Sequence, residues 1–98
     1  MLCHVACFRW VEGTTDEQVA RLRDMLAALP AVIGELRRYR FGPDAGLGEG
    51  NFDFVVVAEF ADTDGWRAYQ EHPDHVRVLD YLRPMVAERA RAQFVVDG

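Results

Sequence analysis

Residues 52–60 have the sequence FDFVVVAEF, and the fold class depends most on this segment. Phenylalanine and valine favour extended chain, so we predict a β-strand over all nine positions. Side chains alternate between the two faces of a strand. One face then carries Phe54 and Val56, and the other carries Val55 and Val57. Because both faces are largely apolar, both faces of the predicted sheet need to be covered.

Strands and helices are predicted on both sides of this segment. Leu2–Trp10 alternates like a strand, with His4, Ala6 and Phe8 on one face. Thr14 and Glu17 have the spacing of a capping box, which predicts a helix with an apolar stripe that reaches Leu29. The other predicted elements are a strand over Leu36–Phe41, a helix after Asp62 that Pro73 interrupts, a helical segment that carries Val76, Leu79, Leu82 and Val86 inward, and a strand over Arg89–Val96.

The order strand, helix, strand, strand, helix, strand is that of a ferredoxin-like α+β fold. In this fold one antiparallel sheet carries its helices on one face. The other face, with Val5, Cys7, Val55 and Val57, then lacks a cover. A second copy of the same sheet is the simplest cover, so we predict a homodimer.

Composition limits the partners and the location of the chain. Its 98 residues suit a single domain, residues 1–98. The net charge of −5 argues against nucleic acid and anionic membrane as partners, and no apolar run is long enough to span a bilayer. Cys3 and Cys7 would lie roughly 13 Å apart on a strand, too far for a disulfide. With no signal peptide evident, we expect a cytoplasmic protein.

The segment Tyr69-Gln-Glu-His72-Pro-Asp-His75 is the candidate site. A neutral His75 could act as a general base, and Tyr69 could donate a hydrogen bond to a developing enolate oxygen. His4 lies on the same strand face as Ala6 and Phe8, which we expect to point toward the helices. There it could position a substrate. Each residue also has a structural interpretation, as a packed or locally hydrogen-bonded side chain. We expect the surrounding substrate-binding wall to include Ala6, Phe8, Leu22, Trp66 and His72.

No metal or cofactor is predicted. His72 and His75 are three residues apart, but Pro73 disrupts the helical face on which that spacing would bring two ligands together. The glycines of residues 42–50 lack the strand-to-helix context of a phosphate-binding loop.

The chain resembles the stress-responsive dimeric α/β-barrel (Dabb) family. The resemblance rests on the first strand from His4 to Trp10, on residues 52–60 and on the Tyr-x-x-His-Pro-x-His segment. It implies two ferredoxin-like protomers whose sheets face each other in a barrel, and a cavity between sheet and helices in each protomer.

Functions within this family vary. It includes plant stress proteins with no established chemistry and the polyketide cyclase olivetolic acid cyclase, in which a tyrosine and a histidine of this motif drive an aldol condensation. The matching positions here are Tyr69 and His75, with His4 on the first strand. The chain departs from the cyclase at most pocket positions, including Leu22 and Met25, so the resemblance does not give the substrate.

Three functions therefore stay open at the level of sequence. The first is a cofactor-independent cyclase or aldol-type catalyst acting on a small apolar, polyketide-like carbonyl compound. The second is a non-catalytic dimer that is stress-related or binds a small apolar or aromatic ligand. The third is a cofactor-free monooxygenase, which oxygen uptake would distinguish from the cyclase.

Overall fold

The computed structural model describes residues 1–97. Within that range four strands and three α-helices follow one another in the predicted order, with the second helical region divided into two helices. In chain order the elements are β1 Leu2–Trp10, α1 Asp16–Ala28, β2 Arg38–Pro43, β3 Phe54–Phe60, α2 Thr63–Glu71, α3 Pro73–Leu82 and β4 Val86–Val95. The strands of this part of the chain form one antiparallel sheet in the order β2-β3-β1-β4. The ferredoxin-like fold is confirmed.

Register in the sheet places the alternating apolar residues of the central strands opposite each other. His4 lies opposite Ala58 on β3 and Gln93 on β4, and Phe8 lies opposite Phe54 and Arg89. Residues with even numbers on β1, such as His4, thus share the helix side with the even-numbered residues of β3.

The hydrophobic core fills the space between this side of the sheet and the helices. Its least exposed side chains are Phe54, Phe60, Leu22 and Ile33. Burial of each such side chain contributes roughly 2 kcal/mol to folding. The core therefore depends on the alternation in residues 52–60 that predicts the fold.

The predicted strand ends were wrong by a few residues. β2 begins at Arg38 because the amide of Leu36 instead donates to the Ile33 carbonyl in a turn. β3 begins at Phe54 because Asp53 leaves the ladder, and its carboxylate accepts a hydrogen bond from the Trp10 amide.

β4 begins at Val86, earlier than predicted, because a β-bulge between Arg9 and Trp10 brings Trp10 opposite Val86.

Helix α1 has the predicted capping box, but one residue later. The Thr15 hydroxyl accepts from the Gln18 amide at 3.1 Å, and the Gln18 side chain accepts from the Thr15 amide at 2.8 Å. The Thr14 hydroxyl instead donates to the Val11 carbonyl, within the turn that precedes the helix. The capping-box pattern fits both Thr14-Glu17 and Thr15-Gln18. The structure forms the box with the second pair, which follows the turn at Val11–Thr14.

Helices α2 and α3 meet at the predicted break, where His72 is extended (φ −62°, ψ 132°). The inward face of α3 differs from the prediction. Leu82 is buried as predicted and Leu79 is half-buried, but Val76 is exposed, and His75 and Val78 are buried in its place. Starting the helix at Pro73 sets this phase, since residues three and four positions apart share a helix face.

Candidate functional site

A small cavity lies between the sheet and helices α1 and α3. Its volume is about 60 Å³, well below the ≈ 300 Å³ at which pockets for drug-sized ligands begin. The lining residues are His4, Ala6, Phe8, Leu22, Leu26, Val56, Tyr69, Gln70, His75, Val78, Leu79, Leu82, Arg89 and Arg91. The cavity thus brings His4, Tyr69 and His75, from β1, α2 and α3, to one space.

Hydrogen bonds to His4 determine where its proton sits. Its Nδ1 is 3.3 Å from Trp66 Nε1 and 2.8 Å from Gln93 Nε2. An indole nitrogen only donates, so His4 Nδ1 must accept. Neutral His4 therefore carries its proton on Nε2 and can donate from that atom.

The opposite arrangement holds for His75. Its Nδ1 lies 3.4 Å from the carbonyl oxygen of Gln70, which only accepts. Nδ1 therefore carries the proton, and Nε2 keeps a free lone pair. Helix α3 holds this ring in its first turn, with the centroid 4.0 Å from that of Tyr69.

Burial keeps both histidines neutral near pH 7. The pKa of His4 falls from 6.5 to about 4, mainly through burial and further through the charges of Arg91 and His75. Burial also lowers the pKa of His75, although its bond to the Gln70 backbone opposes the change. Both rings are nearly inaccessible from outside, so desolvation of the charged form dominates.

The Nε2 atoms of both rings reach accessible space. Neither Nε2 hydrogen-bonds to the protein, and no buried side-chain nitrogen or oxygen in residues 1–97 lacks a partner. Both rings are among the residues that line the cavity. While both rings are neutral, His4 can thus donate a hydrogen bond from Nε2, and His75 can accept one at Nε2.

Tyr69 belongs to a pair of buried hydroxyl groups. Its hydroxyl oxygen lies 2.8 Å from that of Tyr39 on β2, and either group can be the donor. Burial raises the pKa of Tyr69 to about 12, although the bond to Tyr39 opposes this, and burial raises the pKa of Tyr39 as well. Tyr69 is therefore neutral at physiological pH, and its hydroxyl can donate to another group when Tyr39 is the donor of the pair.

The predicted wall residues divide into two groups. Ala6, Phe8 and Leu22 line the cavity, whereas Trp66 and His72 are not among its lining residues. Trp66 contacts the cavity indirectly, through its bond to His4 Nδ1. His72 caps helix α3, because its Nδ1 accepts from the Asp74 amide at 3.1 Å. A substrate-binding role for these five residues stays a prediction.

Several residues of the site escaped the sequence reasoning. Tyr39 follows the core-facing alternation of β2 and carries a hydroxyl, which is a signal that could have identified it. Gln93, Arg89 and Arg91 share the helix side of β4, but only the register with β1 places them beside His4 and Phe8.

Residues 1–97 contain no group of three His, Cys, Asp or Glu side chains placed to hold a metal ion. Of the helices in this range, none has the length and apolarity to cross a bilayer. Cys3 and Cys7 are both free thiols.

Several solved structures have the same fold as this chain. A dimeric ferredoxin-like protein of unknown function from Thermobifida fusca YX is 47% identical, with a TM-score of 0.92 over 97% of this chain and 90% of that one. A Dabb family protein with a ferredoxin-like fold from Mesorhizobium loti is 20% identical, with a TM-score of 0.80 over 99% and 97% of the two chains. The hydroxynitrile lyase from Passiflora edulis is 12% identical, with a TM-score of 0.86 over 98% and 93%.

A search of curated proteins finds no significant match. The model of the stress responsive A/B barrel domain, Dabb, matches residues 2–96. The match spans nearly the whole chain and agrees with the order of strands and helices. This chain belongs to the Dabb family.

Proposed function

We propose that this protein is a cofactor-independent acid–base catalyst that acts on a small apolar carbonyl compound in an aldol-type or cyclase-like reaction. The observation that carries the proposal is a pair of neutral histidines that line one cavity as opposite tautomers, beside Tyr69. A base and a donor in one desolvated space can move a proton without a metal or a nucleotide.

The mechanism begins at His75. Its Nε2 removes a proton from the carbon next to the substrate carbonyl, and the electron pair of that C–H bond forms the enolate. The enolate oxygen accepts hydrogen bonds from the Tyr69 hydroxyl and from His4 Nε2–H, which stabilise the developing charge. The enolate carbon then attacks a second carbonyl carbon, and the resulting alkoxide takes the proton back from His75.

Cavity size sets the scale of the substrate. A volume of about 60 Å³ suits a body of only a few carbon atoms, well short of a full polyketide chain. A short ketone or β-dicarbonyl compound is therefore the expected substrate. Ala6, Phe8 and Leu22 would provide its apolar wall.

Proton exchange tests the first chemical step directly. Short ketones and β-diketones are incubated with the protein in deuterated buffer. We expect deuterium incorporation next to the carbonyl, slowed roughly 100-fold or more by His75→Ala and also roughly 100-fold by Tyr69→Phe.

Tyr81→Phe is the matched control, because the Tyr81 hydroxyl bonds the Gln18 carbonyl outside the cavity. It should leave exchange unchanged. Exchange that is equal in the wild type and in His75→Ala would overturn the proposal.

A non-catalytic dimer that binds a small ligand is the second candidate, and the small size of the cavity favours it. This candidate predicts that the same compounds shift the NMR signals of His4 and Tyr69 without any proton exchange. Relatives of this chain are dimeric, and dimerisation of this chain through its uncovered sheet face belongs to both candidates.

A further inference from the structure

Two arginines on β4 line the same cavity. Arg89 lies opposite Phe8 and Arg91 lies opposite Ala6, so both side chains belong to the helix side of the sheet. Both residues are exposed, unlike the buried rings of His4 and His75. Their exposure marks the side at which the cavity meets solvent, beside the edge strand. The two arginines therefore form the mouth of the cavity.

The positive charge at the mouth is not neutralised by the protein. No carboxylate within residues 1–97 forms an ion pair with Arg89 or Arg91, although five other arginines form such pairs. The chain as a whole has a net charge of −5. The positive charge of the two unpaired arginines at the cavity is therefore opposite in sign to the net charge of the chain. The field of Arg91 also reaches inward, where it adds to the effect of burial on the pKa of His4.

The lining of the cavity combines three kinds of group. Arg89 and Arg91 are exposed and charged, Ala6 and Phe8 are apolar, and His75 and Tyr69 are buried and polar. Guanidinium groups bind carboxylates through paired, charge-assisted hydrogen bonds. A ligand that matches this lining has a carboxylate at one end and a carbonyl a few carbons away.

We propose that the substrate class is a short oxo-carboxylate, with its carboxylate held by Arg89 and Arg91 and its carbonyl directed toward Tyr69 and His75. This inference rests on the proposed function, because it assigns a substrate class to the same cavity. The arginines select and orient the ligand, and they take no part in the proton transfer.

Binding of two matched probes tests the proposal. The first probe is 4-oxopentanoate, and the second is its neutral amide, which has the same carbon skeleton and the same ketone. We expect the acid to bind roughly tenfold more tightly than the amide in an NMR titration at low ionic strength. The acid should shift the ring signals of His75 and Tyr69, and its advantage should shrink as salt is added.

Paired variants separate local recognition from net charge. The double variant R89Q/R91Q should abolish the preference for the acid while leaving the affinity for the amide unchanged. The double variant R23Q/R67Q removes the same charge from exposed helix positions outside the cavity and should keep the preference. Equal affinities of the wild type for acid and amide, or a preference that survives in R89Q/R91Q, would refute the assignment.

Failure of this proposal is distinguishable from failure of the proposed function. Suppose that the wild type prefers the acid but exchanges the protons next to its ketone no faster than His75→Ala does. The carboxylate site is then supported and the catalytic proposal is refuted. If the neutral ketones exchange through His75 while acid and amide bind alike, catalysis stands and the carboxylate assignment does not.

Discussion

At the scale of single residues, neighbouring side chains give two identical imidazoles opposite roles. Trp66 and Gln93 make His4 Nδ1 an acceptor, and the Gln70 carbonyl makes His75 Nδ1 a donor. The free Nε2 atoms consequently differ by one proton, although burial keeps both rings neutral. Neighbouring residues thus determine which nitrogen of each ring carries the proton.

Burial of His4 predicts that the protein loses stability in acid. Its pKa is 6.5 in the unfolded chain and about 4 in the folded protein, so between these values only the unfolded state binds the proton. The contribution of His4 is fully present above pH 6.5 and is lost as the pH falls toward about 4. The loss should be on the order of 2 kcal/mol, after allowance for screening by water in the cavity. Urea unfolding at several pH values measures it.

The matched control is His4→Asn, which keeps an acceptor near Nδ1 but removes the titrating ring. Other groups titrate equally in both proteins, so the difference between their free energies of unfolding isolates His4. The explanation fails if this difference is the same at pH 7.5 and at pH 4.5.

Only part of the site is predictable from the order of residues. Tyr69 and His75 are close in the chain, and a single motif contains both. The other contacts of the site join residues that are far apart in the chain. The separation is 30 residues for Tyr39 and Tyr69, 62 for His4 and Trp66, and 89 for His4 and Gln93. Contacts of that separation depend on the register of the sheet, which the periodicity of one strand does not determine.

At the scale of secondary structure, the break between α2 and α3 positions the catalytic candidate. Pro73 forces His72 out of the helical region, and the His72 ring then accepts from the Asp74 amide and starts α3. His75 falls in the first turn of that helix, with its Nδ1 facing the last turn of α2. His72 thus caps the start of the helix that positions His75.

Removal of this cap should destabilise the protein. His72→Ala leaves the Asp74 amide without its partner and should lower the free energy of unfolding by about 1 kcal/mol. His72→Asn, whose side chain also caps helices well, should restore most of the loss. Equal urea midpoints for the wild type and His72→Ala would show that the cap contributes nothing.

The sequence predicts the elements better than their ends. Alternation and helical spacing identify each strand and helix, because they reflect burial of one face. The ends depend on single hydrogen bonds, such as the bond from Trp10 to Asp53, and the inward phase of α3 depends on where Pro73 starts it. A pattern of apolar residues contains neither kind of information.

At the scale of the whole molecule, helices cover one face of the sheet and leave the other face uncovered. On that other face Val5, Val55 and Val57 are half-buried, and Phe94 on β4 is 52% exposed. Apolar side chains across one sheet face indicate an association surface. The dimeric relatives and the Dabb family assignment agree with this interpretation.

A charge at the centre of this face should separate the subunits. Val5→Asp, between Val57 on β3 and Ala92 on β4, would bury a carboxylate with no basic residue directly opposite in each protomer, at a cost of roughly 3 kcal/mol or more per charge. We expect sedimentation velocity to show a dimer for the wild type and a monomer for Val5→Asp. Val32→Asp is the control, because Val32 is already exposed on the helix side and the same change there should leave the dimer intact. A monomeric wild type would contradict the prediction.

Strand β1 has a consequence for how such a protein can diversify. Its even positions, including His4, Ala6 and Phe8, form the cavity wall, while Val5 and Cys7 between them belong to the uncovered face. A substitution at an even position can change the ligand without altering the assembly, and one at an odd position can change the assembly without altering the ligand. Selection, or a protein engineer, can therefore adjust chemistry and quaternary structure independently within one short segment of the gene.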